Sequence, residues 1–143
     1  MTRESIAFAN RDGGSLQRVL CVEDEADIRT VVQIALQDLG GMQLRVCSSG
    51  AEALAAAPEF APELILLDVM MPGMDGPATL AALRASPDHA TTPVVFMTAK
   101  VQTHEIARYR QLGALDVIMK PFDPMSLADT LRGIWASARS GSA

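Results

Sequence analysis

The sequence predicts an α/β fold in which a doubly wound, five-stranded parallel sheet is covered on both faces by five helices. Three observations carry this prediction. Short apolar runs alternate along the chain with segments of helical period. The joins between them are short and marked by Gly and Pro. The third observation is the stretch Glu63-Leu64-Ile65-Leu66-Leu67-Asp68-Val69-Met70-Met71-Pro72-Gly73-Met74-Asp75-Gly76, in which an unbroken apolar run meets a single carboxylate and then a breaker-rich loop. A continuous apolar run bounded by turn signals reads as a strand buried on both faces, as in parallel sheets.

The elements follow in order. Arg18-Val19-Leu20-Cys21-Val22 is a strand stopped by the acidic run Glu23-Asp24-Glu25. Ile28, Val31, Val32, Ala35, Leu36 and Leu39 share one helical face, which Gly40-Gly41 closes. Met42 to Cys47 alternates as a strand, with Met42, Leu44 and Val46 on one side. Ala51 to Ala57 reads as a short helix ending before Pro58, and Leu64 to Leu67 as the third strand. Pro77 suits the first turn of a helix that carries Leu80 and Leu83 and ends near Ser86-Pro87. Pro93 to Met97 is the fourth strand, running into Thr98. A helix with a thin apolar face (Ile106, Leu112) spans about Gln102 to Leu112, and Gly113 caps it. Leu115 to Met119 is the fifth strand. Asp123-Pro124 starts the last helix as N-cap and first residue, with Leu127, Leu131, Ile134 and Trp135 facing inward.

With 143 residues, 49% of them apolar and 20% charged, the chain has the composition of one globular domain. The expected division is a leader over residues 1–17, the domain over 18–136, and a tail or linker over 137–143. A net charge of −5 argues against a general nucleic-acid or membrane-surface binder. Lysine occurs only as Lys100 and Lys120. Cys21 and Cys47 lie in apolar strands and read as reduced core thiols. No apolar stretch approaches the roughly 20 residues that cross a bilayer, and Ile6-Ala7-Phe8-Ala9 is too short for a signal segment. The expected location is the cytoplasm. His89 and His104 read as surface residues, and Met70, Met71 and Met74 as apolar anchors of their loop.

Ligands of a parallel sheet bind beyond the carboxyl ends of its strands. The first polar residues at those ends are Glu23 and Asp24, Asp68, Thr98 and Lys120. Three carboxylates, a hydroxyl and an ammonium are thereby expected at one edge. Carboxylates so close repel until one protonates or a cation joins them. An all-oxygen set without His or Cys suits Mg²⁺ or Mn²⁺. Such a cation attracts phosphoryl oxygens, and Asp68 can attack phosphorus to give an aspartyl phosphate.

Four motifs, each closing a strand, carry a resemblance over about Arg18 to Trp135: Glu23-Asp24-Glu25, Leu67-Asp68-Val69-Met70-Met71-Pro72-Gly73-Met74-Asp75-Gly76, Thr98-Ala99-Lys100 and Lys120-Pro121-Phe122. On these, the chain resembles the receiver domain of a two-component response regulator. The resemblance implies a flavodoxin-like sheet with strand order 2-1-3-4-5. It implies that Asp68 accepts a phosphoryl group from the phosphohistidine of a sensor histidine kinase or a histidine phosphotransfer protein. Glu23, Asp24, Asp68 and the main-chain carbonyl of Met70 would hold Mg²⁺, Thr98 would swing toward the phosphoryl group, and Lys120, before a cis Pro121, would pair with it. The altered surface would act on a partner protein or an output domain, with no nucleic acid bound by this domain, and a homodimer would form through the fourth helix, fifth strand and fifth helix. One position departs: where the family usually has Tyr or Phe, three residues before the lysine, this chain has Val117.

Other readings of these residues are tamer. The acidic run could merely favour the positive end of the following helix, Asp68 could open a loop as an Asx residue, and Thr98 could cap a helix. A receiver-like scaffold working without phosphorylation would keep the fold and lose the chemistry. A haloacid-dehalogenase-type phosphatase would need a second Asp two residues after the nucleophile, and Met70 stands there. The phosphoacceptor, self-modifying but not a turnover enzyme, is the expected function.

Overall fold

The structure is a computed structural model that describes residues 15–99 and 102–140. Lys100, most of the expected leader and the end of the expected tail lie outside the described residues. The elements in order are β1 (Arg18–Val22), α1 (Ala26–Val32, continued by a π-helical stretch Gln33–Leu39), β2 (Gln43–Cys47), α2 (Gly50–Phe60), β3 (Leu64–Asp68), α3 (Gly76–Ala85), a 3₁₀ turn (Pro87–His89), β4 (Val94–Thr98), α4 (Thr103–Gln111), β5 (Asp116–Met119) and α5 (Leu127–Ser140). The five strands pair in parallel in the order β2-β1-β3-β4-β5. This is the expected order, with its reversal between β1 and β3.

Strand alternation sorts the apolar runs into two cores. Leu20, Val22, Ile65, Leu67, Val94 and Phe96 face α2 and α3 and meet Ala53, Leu80 and Tyr109. Val19, Cys21, Leu64, Leu66, Val95 and Met97 face the other way, against Leu36, Leu131 and Trp135. Because both faces of each central strand are covered, the strands read as continuous apolar runs.

Four boundaries differ from the sequence expectation. α2 runs on through Pro58 to Phe60. A proline in the last turn forfeits one backbone hydrogen bond, and the extra turn brings Phe60 against the core. Ser49 caps the start by accepting from the Glu52 amide at 3.1 Å. α5 begins at Leu127 rather than Pro124: Asp123 caps the turn ahead of it, its Oδ1 accepting from the Met125 amide at 2.9 Å. The same helix continues to Ser140, into the stretch expected as tail. Leu16, within the expected leader, is fully buried.

Some burial was also unexpected. In α4, Leu112 lies 45% exposed just past the helix end, and Tyr109 takes the core position. His89 is buried, not on the surface. It sits where Arg84 gathers the chain, donating to the carbonyls of His89 at 2.9 Å, Thr92 at 2.8 Å and Gly113 at 3.2 Å. Met71 is buried as a loop anchor, whereas Met70 is 75% exposed.

The loop after β3 folds back tightly. The Gly76 amide donates to the Val69 carbonyl at 2.9 Å. A Cβ at Gly76 would stand 2.6 Å from the Asp68 carbonyl oxygen and 2.8 Å from the Val69 Cα, both backbone atoms. Gly76→Ala is therefore expected to lower stability by about 1–3 kcal/mol, read as an earlier urea midpoint. An unchanged midpoint would show that the loop opens without cost.

Candidate functional site

Each chemically useful residue stands where a strand stops. β1 ends in the core, so Glu23 follows it while still fully buried, its amide donating to the Cys47 carbonyl at 3.0 Å. Asp24, next along, is half-buried. Asp68 is the last residue of β3 and 1% exposed; Thr98 is the last of β4 and 4% exposed. Lys120 follows β5, and its amide donates to the Thr98 carbonyl at 2.8 Å, which ties the ends of β4 and β5 together. The Lys120–Pro121 bond is cis.

From this position the Lys120 ammonium reaches inward. Its Nζ donates to Glu23 Oε1 at 3.1 Å and to Asp68 Oδ1 at 3.0 Å. Both carboxylates are almost wholly buried. Carboxylate oxygens of Glu23, Asp24 and Asp68 all lie within 4.8 Å of one another. One ammonium thus faces three acids, and the site carries uncompensated negative charge.

That imbalance shows in the proton affinities. Burial pushes Glu23 up to about 7, with Asp68 adding to the rise and the Glu25 amide and Lys120 opposing it. Burial also raises Asp68, held back chiefly by Lys120. For Lys120 burial works against the charge, but the hydrogen bonds to Asp68 and Glu23 win and raise its pKa. An acid raised in the folded state binds more protons there than when unfolded, so stability falls as pH rises between the unfolded and folded values. Without a divalent cation, the protein is expected to lose stability as pH rises from about 4.5 to about 7, by roughly 3 kcal/mol for the Glu23 shift. Melting curves in chelator across that window check this. A melting temperature that climbs steadily over the same window would contradict it.

The donor set fits a divalent cation. It is oxygen-only, partly open through Asp24, and short of positive charge, which suits a hard ion such as Mg²⁺ or Mn²⁺ rather than zinc. Among the described residues, no other group of acidic, His or Cys side chains is placed to hold a metal.

Of the residues singled out in the sequence, Glu23, Asp24, Asp68 and Lys120 are brought together, and Thr98 sits on the neighbouring strand end. Met70 lies two residues past Asp68 with its side chain turned to solvent. Val117 pairs in register with Phe96 and is half-buried. Cys21 and Cys47 are buried free thiols; burial pushes the Cys47 thiol up to about 11 and Cys21 higher still, which leaves both unreactive. Sequence reasoning missed Arg29. Its Nη1 donates to the carbonyls of Glu23 and Asp24, at 2.9 Å each, and holds the acidic loop in place from the first turns of α1. An arginine one turn beyond an acidic run was the available signal.

Residues 19–132 match the family model of the response regulator receiver domain. The DNA-binding response regulator MtrA of Mycobacterium tuberculosis (strain H37Rv) is 39% identical over 116 residues, 81% of this chain and 49% of that protein. The transcriptional regulatory protein PcoR of Escherichia coli is 38% identical over 128 residues, 90% of this chain and 55% of that protein. The chain thus spans about half the length of these curated relatives. Among solved structures, the chemotaxis protein CheY4 of Vibrio cholerae superposes with a TM-score of 0.78 at 32% identity, over 84% of this chain and 99% of that one.

Proposed function

The chain belongs to the response regulator receiver domain family, and from that premise we propose that it is a phosphoacceptor switch whose acceptor is Asp68. The observation that carries the reading is the double hydrogen bond of Lys120 to Glu23 and Asp68, which gathers residues from three strand ends around one carboxylate. Asp68 Oδ attacks the phosphorus of a kinase or phosphotransfer-protein phosphohistidine. The new O–P bond forms as the P–N bond breaks, and the electron pair leaves with the imidazole nitrogen. Glu23, Asp24, Asp68 and the Met70 carbonyl would hold Mg²⁺ or Mn²⁺, which supplies charge neutralisation to the transferring group. Lys120 opposes the rise that burial imposes on Asp68 and then pairs with a phosphoryl oxygen, and Thr98 offers its hydroxyl to another. Met70, where a phosphatase would carry a second acid, leaves the aspartyl phosphate without a general acid to drive turnover.

The phosphorylated surface acts on a protein partner or an output domain in the cytoplasm, and a pair of chains can meet through α4, β5 and α5. MtrA and PcoR are named for binding DNA and for regulating transcription, respectively. For this chain, with its net charge of −5, the reading assigns recognition to a protein surface. Among the described residues, no helix is long and apolar enough to cross a membrane.

The test is incubation with acetyl phosphate and Mg²⁺, followed by intact-mass and peptide analysis. The expected product is a gain of about 80 Da on the peptide containing Asp68. Absence of any adduct would support the scaffold, and steady release of phosphate from monoesters would support the phosphatase.

A further inference from the structure

A cleft of about 570 Å³ opens at the edge of the sheet opposite Asp68, where β3, β4 and β5 begin. Glu63 on its wall and Asp68 bracket β3, which puts the cleft and the acceptor about 17 Å apart along the strand. In a chain of net charge −5, the wall of this cleft carries three arginines, Arg84, Arg110 and Arg139, and one acid. That acid, Glu63, turns its Oε1 to the start of β1, accepting from the Gln17 and Arg18 amides at 2.8 Å each.

The arginines stand in the last turns of α3, α4 and α5, where they offset the negative helix ends. Arg84 does more than that. It is half-buried, and burial lowers its pKa. Its hydrogen bonds run to the carbonyls of His89, Thr92 and Gly113, and among the described residues no carboxylate pairs with it. Three of the five N–H groups of the guanidinium are so used, and two remain. A Cβ at Gly113 would stand 3.6 Å from Arg84 Nε, so the missing side chain keeps the approach to that N–H clear. A partly buried charge without a counter-charge costs free energy, and an anion in the cleft removes that cost.

The other two arginines complete the shape of a ligand. Arg110 is 57% exposed, and its Nη2 bonds to Asp116 of β5 at 3.2 Å, which fixes the guanidinium and leaves other N–H groups to the cleft. The Arg139 guanidinium lies over the buried Trp135 ring, 4.5 Å from its centroid. Guanidinium N–H pairs match phosphate oxygens, and a guanidinium plane stacks on flat π systems. The cleft is also of the size that holds a small molecule. We propose that it binds a nucleoside phosphate, with the phosphate on Arg84 and Arg110 and the base laid on the outer face of Arg139.

Trp135 is the single tryptophan of the chain, so its emission reports the cleft alone. The full chain is titrated in chelator, which keeps phosphate from being drawn to a metal at Asp68. The probes are the monophosphates of the four ribonucleosides, the same nucleosides without phosphate, and inorganic phosphate. The expected result is saturable quenching by at least one monophosphate and none by its nucleoside. Inorganic phosphate should compete with a midpoint at least about tenfold weaker, since it lacks the stacked base. Absence of saturable quenching overturns the proposal and leaves the arginines to the helix ends. Equal midpoints for nucleotide and inorganic phosphate overturn it as well, because the base would then contribute nothing. Arg110→Ala breaks only an exposed ion pair, so the fold should hold while nucleotide binding weakens about tenfold. Arg139→Lys keeps the charge and loses the stacking plane, so the nucleotide midpoint should fall back toward that of inorganic phosphate. An unchanged nucleotide midpoint in either variant overturns the proposal.

Discussion

Asp68→Asn is expected to abolish phosphoryl uptake from acetyl phosphate, a loss of about a hundredfold or more, while leaving the melting temperature equal to or above that of the parent. The reasoning starts from burial. Asp68 is 1% exposed and its pKa is raised, chiefly by desolvation, so its charge is held in the folded state at a cost. Asparagine keeps the shape and keeps an oxygen to accept from Lys120, which lies 3.0 Å from Oδ1, but carries no charge to desolvate. It also relieves the repulsion that Asp68 exerts on Glu23. The amide is no nucleophile toward phosphorus. Loss of labelling with retained stability therefore assigns Asp68 to chemistry rather than to packing. Equal labelling of the variant would move the acceptor elsewhere.

Lys120→Ala has the opposite profile. Lys120 gives two buried carboxylates their shared cationic partner. Removing one member of a buried charge group leaves the others uncompensated, which costs about 3–5 kcal/mol. Glu23 and Asp68 would respond by binding protons, so the loss should be greatest at alkaline pH and shrink as the solution is acidified toward the range in which both are neutral. A divalent cation among the same oxygens restores positive charge, so Mg²⁺ should stabilise the variant more than it stabilises the parent. Magnesium affinity is therefore expected to hold or rise, since Lys120 is not a metal ligand, while coupling of phosphorylation to partner binding is lost. Chemical denaturation at several pH values, with and without Mg²⁺, reads all of this. A large fall in Mg²⁺ affinity would contradict the role given to Lys120.

Much of this site was legible before any coordinates. Short-range energetics write clear patterns: continuous apolar runs for strands covered on both faces, Pro72-Gly73 and Asp75-Gly76 where a strand must stop, and polar residues at the stops. Parallel connectivity then puts every such stop at one edge. The strand order came from family resemblance, since periodicity does not distinguish one winding of a parallel sheet from another. The misplaced residues share a different cause. Arg29 holds the acidic loop through backbone carbonyls, so its place one turn beyond the acidic run is the one mark it leaves on the side-chain pattern. His89 is buried because Arg84 draws in the carbonyls around it. Pro58 reads locally as a stop, but the helix runs on because Phe60 beyond it packs against the core.

By itself the sequence determined the fold class, the ends of the strands and the residue types waiting there, because each follows from local polarity and backbone preference. Only the tertiary structure decided that Lys120 touches Glu23 and Asp68 at once, and that α4 buries Tyr109 edge to face against Phe96 of β4. Those contacts join residues far apart in the chain. Their free energy depends on which groups share a buried space, a quantity that no single stretch of sequence contains.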